Sequence, residues 1–416
     1  MSLLTSATRM WLTRRVRPFT FTRDSAPRPY GETERLGLYI HIPFCRTLCA
    51  FCPYCKVPFD PALCDGYLDA LIREIHLVGG AEPGKKTVTS LYFGGGTPAL
   101  AIDRLGEVLD AVGAHFVITE GIGLELHPED VTVENLTRLK ALGITKISIG
   151  VQSFQPALLA LLGRGEADPT ALFSALRAVP FETVSMDFIF ALPGQTFPQL
   201  QADIETAFAN GANHIAIYPF IDFSFADSGI PAMGKEEKHR LLDEITDYCA
   251  SMGYGRESIW TFSKERGAGY SSMTRENFLG FGCSATTLLR DSFQINTFSI
   301  GEYEKKIHGG TLPTALTLHF TKRQRMIYYL FWTAYSTRVE RGAFAAFFGE
   351  PLGKNYGAEL WLAKRLGFAT EADGVITLTK RGAFAYHYYE NYYTLAYIDK
   401  MWGILRREAF PEKIEL

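Results

Sequence analysis

Between residues 36 and 220, short runs rich in branched and aromatic side chains alternate with stretches of helical period. That alternation constrains the fold of this chain more than any other feature. Strands are expected over Leu36–Ile42, 87–93, Ile122–Leu126, 145–151, 183–189 and 214–218, with helices over 65–78, 104–112, 133–142, 156–162 and 198–210 between them. A strand that is followed by a helix returns the chain to the starting end of the sheet, so repeated βα units build a parallel sheet of α/β class. Right-handed crossovers then curl six such units into an open barrel or lay them out as a doubly wound sheet. Periodicity leaves both forms open, and both place functional groups on the loops after the strands.

The 416 residues exceed what one such unit needs. We expect an N-terminal arm over 1–35, a barrel with its extension over 36–320, and a smaller unit over 321–416. After residue 220 come a long helix, 235–252, and a loop-rich stretch of Gly and Ser. From about residue 320 the pattern becomes helical: 323–335, Arg341–Phe348 and 358–366, followed by strands at 368–371 and Val375–Leu378 around Asp373-Gly374, and a last helix after Lys380. Three helices and a hairpin resemble a winged helix. A net charge of −3 supplies no basic footprint, so the expectation is no nucleic-acid partner. No run of about 18 apolar residues is present, and no membrane partner is expected. The first 23 residues hold five arginines and no acid, a composition shared by organellar transit peptides and by plain basic arms.

Four of the seven cysteines, Cys45, Cys49, Cys52 and Cys55, fall within eleven residues. A disulfide framework would spread its cysteines through a smaller chain, so a reducing, cytoplasmic setting is expected. The cluster follows the first strand in Tyr39-Ile-His-Ile-Pro-Phe-Cys45, at the loop position the fold reserves for chemistry. Four thiolates could close a tetrahedral zinc site. Alternatively, Cys45, Cys49 and Cys52 bind three irons of a four-iron, four-sulfur cluster and leave the fourth open to a chelating ligand.

The Cys-x3-Cys-x2-Cys spacing, with Phe51 immediately before the last cysteine, resembles the signature of the radical S-adenosylmethionine (SAM) superfamily. The resemblance implies a [4Fe-4S] cluster on those three cysteines, with SAM on the open iron. Reductive cleavage of its sulfonium bond would yield a 5′-deoxyadenosyl radical, the cofactor carrying the hard chemistry.

Further motifs stand after successive strands: Tyr92-Phe-Gly-Gly95-Gly96-Thr97-Pro, Glu125-Leu-His-Pro, Ser148-Ile-Gly-Val-Gln152, Arg164 in Leu-Leu-Gly-Arg-Gly-Glu, and Asp187-Phe-Ile-Phe-Ala-Leu-Pro-Gly-Gln. Three glycines let a backbone approach a ligand closely and present open N–H groups. The ordered set resembles the oxygen-independent coproporphyrinogen III oxidase-like branch of the superfamily. That resemblance implies a partial (β/α)6 radical SAM barrel with a C-terminal helical, winged-helix-like domain over its mouth. It places Tyr39, Gly95 and Glu125 on the cluster-bound SAM. Phe51, Gly96, Thr97, Gln152, Arg164 and Asp187 fall where the branch holds a second SAM, so one or two molecules are expected. The implied partners are a tetrapyrrole or other large aromatic substrate and an electron donor such as flavodoxin or ferredoxin.

The chain departs from the oxidases at Cys52-Pro-Tyr-Cys55, where they carry Cys-x-Cys, and at Gly282-Cys283-Ser284 in a Gly-rich stretch. Cys55 and Cys283 are expected near the radical as hydrogen-atom donors or thiolates, and Cys64 and Cys249 as packing residues. Three functions stay open: radical chemistry on a tetrapyrrole, class C radical methyl transfer with two SAM molecules, and non-catalytic haem binding or trafficking.

Overall fold

The computed structural model describes residues 3–27, 29–226, 228–265 and 276–416. Part of the expected Gly- and Ser-rich loop, residues 266–275, lies outside them. Six parallel strands form in the expected order: β1 (Leu36–Ile42), β2 (Leu91–Gly95), β3 (Ile122–Leu126), β4 (Lys146–Gln152), β5 (Thr183–Phe190) and β6 (His214–Pro219). Each pairs in parallel with the next, giving an unbroken run from β1 to β6. Both faces of β1 and β5 are buried almost throughout, as strands covered by helices require.

The helices that return the chain are α1 (Pro61–Gly79), α2 (Leu105–His115), α3 (Val133–Ala141), α4 (Pro156–Leu161), α5 (Pro169–Ala178) and α6 (Phe197–Ala209). The α4–β5 connection holds an additional helix, α5. Its start is written locally: the Asp168 carboxylate accepts from the Thr170 N–H at 2.9 Å, and Pro169 begins the first turn. The single strand expected at 87–93 is two, Lys86–Val88 pairing with Phe116–Ile118, and β2. Hydrogen bonds from the Thr119 and Glu120 N–H groups to the Thr89 carbonyl hold the bend between them.

The sheet does not close on itself. Beyond β6 lies an antiparallel strand, Thr261–Ser263. Beyond β1 lies β7 (Asn277–Phe281), parallel to it, followed by the antiparallel strands Thr286–Leu288, Ser292–Asn296 and Thr314–His319. This is an open partial barrel with a meander on its β1 side. The expected arm carries a helix, Leu3–Thr13, and a strand, Thr20–Thr22, that joins the main sheet between Thr314–His319 and Lys413–Glu415. The two ends of the chain therefore meet on this sheet.

From residue 322 the chain is helical around a three-stranded antiparallel sheet, Arg338–Glu340, Val375–Leu378 and Ala369–Ala372. Met326, Tyr329, Phe344, Phe348 and Tyr356 make a separate small core there. The helix expected at 358–366 starts earlier, at Leu352, and kinks at Tyr356. After Lys380–Tyr393 the chain stays helical through Asp399–Leu405. The Trp260 indole donates to His387 Nδ1 at 2.9 Å and ties this unit to the barrel.

Candidate cluster and cofactor site

The cysteine loop leaves β1 and is pinned from two sides. Phe44–Cys45 pairs with Val57–Pro58, fixing both ends of the loop. The Gly96 and Thr97 N–H groups, just past β2, donate to the carbonyls of Ile42 and Phe44 at 2.8 and 2.7 Å. Cys45, Cys49 and Cys52 stand half-buried on this loop, unlike the other four cysteines, which are buried. The Thr97 hydroxyl approaches Cys45 Sγ at 4.0 Å, and Lys56 Nζ donates to the Cys52 carbonyl at 2.6 Å. Burial, then the nearby Cys52, pushes the Cys45 thiol up to about 11. The three thiols raise one another's cost of ionising, and a cationic centre between them would relieve that repulsion. Half-buried Arg164 lies near enough to the same three cysteines for their charges to act on it. The donor set fits an iron–sulfur cluster bound through three thiolates.

Glu125, at the end of β3, supplies the next polar group. Its Oε2 accepts from the Gly95 N–H at 3.0 Å. Burial, then the charge of Asp187, pushes its carboxyl up to about 7. A carboxyl held there becomes a strong acceptor once an ammonium group arrives. Tyr39 faces the same space: its hydroxyl lies 3.1 Å from His41 Nδ1, and burial followed by Glu125 raises it well above the usual phenol range. Gly95 has φ +114°, and a Cβ there would stand 2.6 Å from the His41 ring.

On β4 and β5, Asp187 accepts from the Ser148 hydroxyl at 3.0 and 2.9 Å and from Ser185 at 3.2 Å; burial pushes it up to about 6. Gln152 ends β4 with φ +70°. A Cβ on Gly150 would meet Gln152 Nε2 at 3.0 Å and Arg164 Nη1 at 3.7 Å, so both side chains cross the same bare patch of backbone. Phe51 packs on a separate apolar cluster with Leu158, Leu162, Ile189 and Leu192, on the β5 side of the loop. The structure thus gathers Tyr39, Gly95 and Glu125 at β1–β3, with Asp187 of β5 near enough to raise Glu125, and brings Gln152 and Arg164 together over Gly150.

Cys55 and Cys283 are also brought together, at an Sγ–Sγ distance of 4.0 Å, with both side chains buried. Cys64 and Cys249 are buried as well, in line with packing roles.

Several residues that the sequence did not single out complete the site. Tyr54 keeps 51% of its surface accessible, yet protein surrounds its hydroxyl, with Glu125, Cys52, Asp187 and Tyr335 near enough to raise it. Its ring lies 6.0 Å from that of Trp402, and Arg406 donates to the Pro53 carbonyl at 2.5 Å, so the C-terminal unit closes onto the cysteine loop. Buried Glu74 of α1 accepts from the Gly282 N–H and the Tyr303 hydroxyl, each at 2.7 Å, and from Asn296 at 3.0 Å; it anchors the loop that carries Cys283. The aromatics beside Pro53 were the available signal for Tyr54. Glu74 reads in sequence as an ordinary helical acid.

Residues 39–207, which hold every one of these strand-end motifs, match the family model described as the radical SAM superfamily. This chain carries a radical SAM domain. A heme chaperone, HemW, of Bacillus subtilis is 26% identical over 83% of this chain and 95% of its own length. An oxygen-independent coproporphyrinogen III oxidase of Pseudomonas aeruginosa is 24% identical over 70% of each chain. Among solved structures, the coproporphyrinogen III oxidase HemN of Escherichia coli superposes with a TM-score of 0.74 at 22% identity, covering 88% of this chain and 93% of its own. At that identity the likeness establishes the fold. It extends beyond the radical SAM domain into the helical C-terminal unit. No helix among the described residues is long and apolar enough to cross a membrane.

Proposed function

We propose that the protein binds a [4Fe-4S] cluster through Cys45, Cys49 and Cys52, and cleaves SAM reductively beside a tetrapyrrole or similarly large conjugated ring. The observation that carries this is the grouping after β1–β3: three half-buried cysteines on one loop, the Gly95 N–H on Glu125, and a Glu125 carboxyl raised by desolvation and by the nearby charge of Asp187. Cluster and SAM together supply a carbon-centred radical when an external donor of the flavodoxin or ferredoxin kind delivers an electron. The protein's own groups do the positioning. Glu125 and Tyr39 receive the amino end of SAM, and the open backbone at Gly95 lets it approach. Thr97 and Lys56 steady the cysteine loop. Gly96, Thr97, Gln152, Arg164 and Asp187 form a second polar cradle, with Phe51 on the apolar cluster beside it, a guanidinium suited to a carboxylate and a carboxylate suited to ribose hydroxyls. A second SAM molecule is the ligand that this cradle fits. Tyr54 and Trp402, with rings 6.0 Å apart beside the cysteine loop, supply flat apolar surfaces for a ring substrate.

A second reading, haem binding or trafficking without turnover, is favoured by the HemW of B. subtilis, which is matched over 95% of its length. One anaerobic experiment separates the readings. The reconstituted protein is reduced and offered SAM with haem or with coproporphyrinogen. Formation of 5′-deoxyadenosine that rises with added tetrapyrrole supports the enzyme. S-adenosylhomocysteine formed in step with it points to methyl transfer, since that is what SAM leaves when its methyl group departs. Tight haem binding with no stimulated SAM cleavage overturns the catalytic reading.

A further inference from the structure

Beside the cluster loop lies a second set of soft donors. One ring nitrogen of His41 and the sulfurs of Cys55 and Cys283 all lie within 4.8 Å of one another, and all three residues are buried. We propose that His41, Cys55 and Cys283 form a metal site for a thiophilic divalent cation of closed d shell, zinc being the type case.

The geometry matches what such an ion needs. Zinc–thiolate bonds of about 2.3 Å at angles between tetrahedral and trigonal put two sulfurs roughly 3.8–4.0 Å apart. The two sulfurs here are separated by 4.0 Å. Charge fits as well. Two thiols entering as thiolates release two protons, and two thiolates with a neutral imidazole cancel a double positive charge. Burial then carries no unpaired charge.

The surroundings support the donors. Each arrives from a different part of the chain: His41 from β1, Cys55 from the cysteine loop, Cys283 from the turn after β7. Gly282 takes φ +98° there, where a Cβ would strike the Tyr67 hydroxyl at 2.4 Å and the His41 carbonyl at 2.6 Å. The Tyr67 hydroxyl accepts from the Cys283 N–H at 3.0 Å and donates to the His41 carbonyl at 2.7 Å, so one side chain fixes two of the three ligand-bearing backbones. His41 Nε2 faces the cysteines, 2.9 Å from the Cys55 carbonyl and 3.4 Å from the Ser284 hydroxyl. Nδ1 meets the Tyr39 hydroxyl at 3.1 Å, the outer hydrogen bond that metal-ligating histidines use to fix their tautomer. Metal binding shifts the imidazole proton to Nδ1, where it donates to Tyr39, and frees the Nε2 lone pair. Three protein ligands leave one coordination position, beside Ser284. Cys55 and Cys283 are then ligands and not hydrogen-atom donors.

The test must keep zinc out of the cluster cysteines. A variant with Cys45, Cys49 and Cys52 all replaced by alanine, its fold checked by circular dichroism, is dialysed anaerobically against chelator-buffered zinc. One zinc per chain is expected, with X-ray absorption at the zinc edge giving two sulfur neighbours and at least one nitrogen. Adding Cys283→Ala or Cys55→Ala should reduce the zinc to none. Should the triple variant not fold, the iron-reconstituted full chain is compared with its Cys283→Ala form: zinc should fall from one to none while iron stays constant. No bound zinc, zinc unchanged in Cys283→Ala, or a loss of two mass units marking a Cys55–Cys283 disulfide would each overturn the assignment. None of these outcomes bears on iron at Cys45, Cys49 and Cys52.

Discussion

At Gly95 the backbone takes φ +114° and its N–H serves Glu125, while the His41 ring occupies the volume a side chain would need. Gly95→Val therefore strains the backbone and pushes on His41 at once. The cysteines sit on a separate loop, so SAM affinity should fall at least tenfold with iron per chain unchanged; equilibrium dialysis and iron analysis check this, and equal SAM affinity would reject the assignment. Cysteine roles separate in the same way. Cys49→Ala should abolish cluster assembly, whereas Cys55→Ala should retain about four irons per chain after reconstitution. The opposite pattern would place the cluster on the wrong cysteines. Tyr39, Gly95, Glu125, Gln152 and Asp187 could be singled out in sequence because they lie in or at the end of the apolar runs that form β1–β5, whereas Arg164 stands beyond the helix after β4 and was marked only by its motif. Cys55 facing Cys283 was not legible, since 228 residues separate them and only the placement of β7 beside β1 joins them.

At the level of elements, the β1–β6 run was readable because strands buried on both faces are written as continuous apolar runs, a local signal. The meander beyond β1 carries no such signal. Its strands are short, and β7 pairs in parallel with β1 from far downstream, a contact set by tertiary packing alone. The same holds for the chain ends. Thr20–Thr22 and Lys413–Glu415 are too short to recognise by period, yet they pair across Phe21 and Ile414, with Phe19 and Leu416 exchanging backbone hydrogen bonds at 2.9 Å. Ile414 and Leu416 are buried. Deleting residues 411–416 removes two buried aliphatic side chains and exposes a sheet edge, which should destabilise the protein by about 3 kcal/mol or more. A melting temperature lowered by several degrees, with the cluster spectrum intact, is expected. An unchanged melting temperature would show that this strand pair contributes nothing to the fold.

Across the whole molecule, the site's two carboxyls link its chemistry to stability. Glu125 at about 7 and Asp187 at about 6 are both raised above their unfolded values, chiefly by burial. The sign follows. Below about pH 3 such groups are protonated in both states and contribute no pH dependence, because the unfolded values are about 3.9 for Asp and about 4.3 for Glu. As pH rises from there, the unfolded chain loses its protons first, so folded stability declines until the folded pKa is passed and is level afterwards. Two buried histidines and the half-buried His127 act oppositely over an overlapping window. His127 and His214 at about 4, and His387 at about 3, resist protonation in the folded state and cost stability as pH falls below 6.5. The two sets offset each other, so the stability curve of the intact chain says little about either. A difference measurement isolates one group. Glu125→Gln should gain stability relative to the unmodified protein as pH goes from 5.5 to 7, by at most about 1.4 kcal/mol per pH unit, and hold that gain above 7. Denaturant melts of the SAM-free forms at pH 5.5, 6.5 and 7.5 measure it. Adding SAM should shrink the difference at pH 7.5, because an ammonium group beside Glu125 favours the carboxylate that glutamine cannot supply. A difference independent of pH would mean that Glu125 titrates like an exposed acid, and would rule out its desolvation beside Asp187.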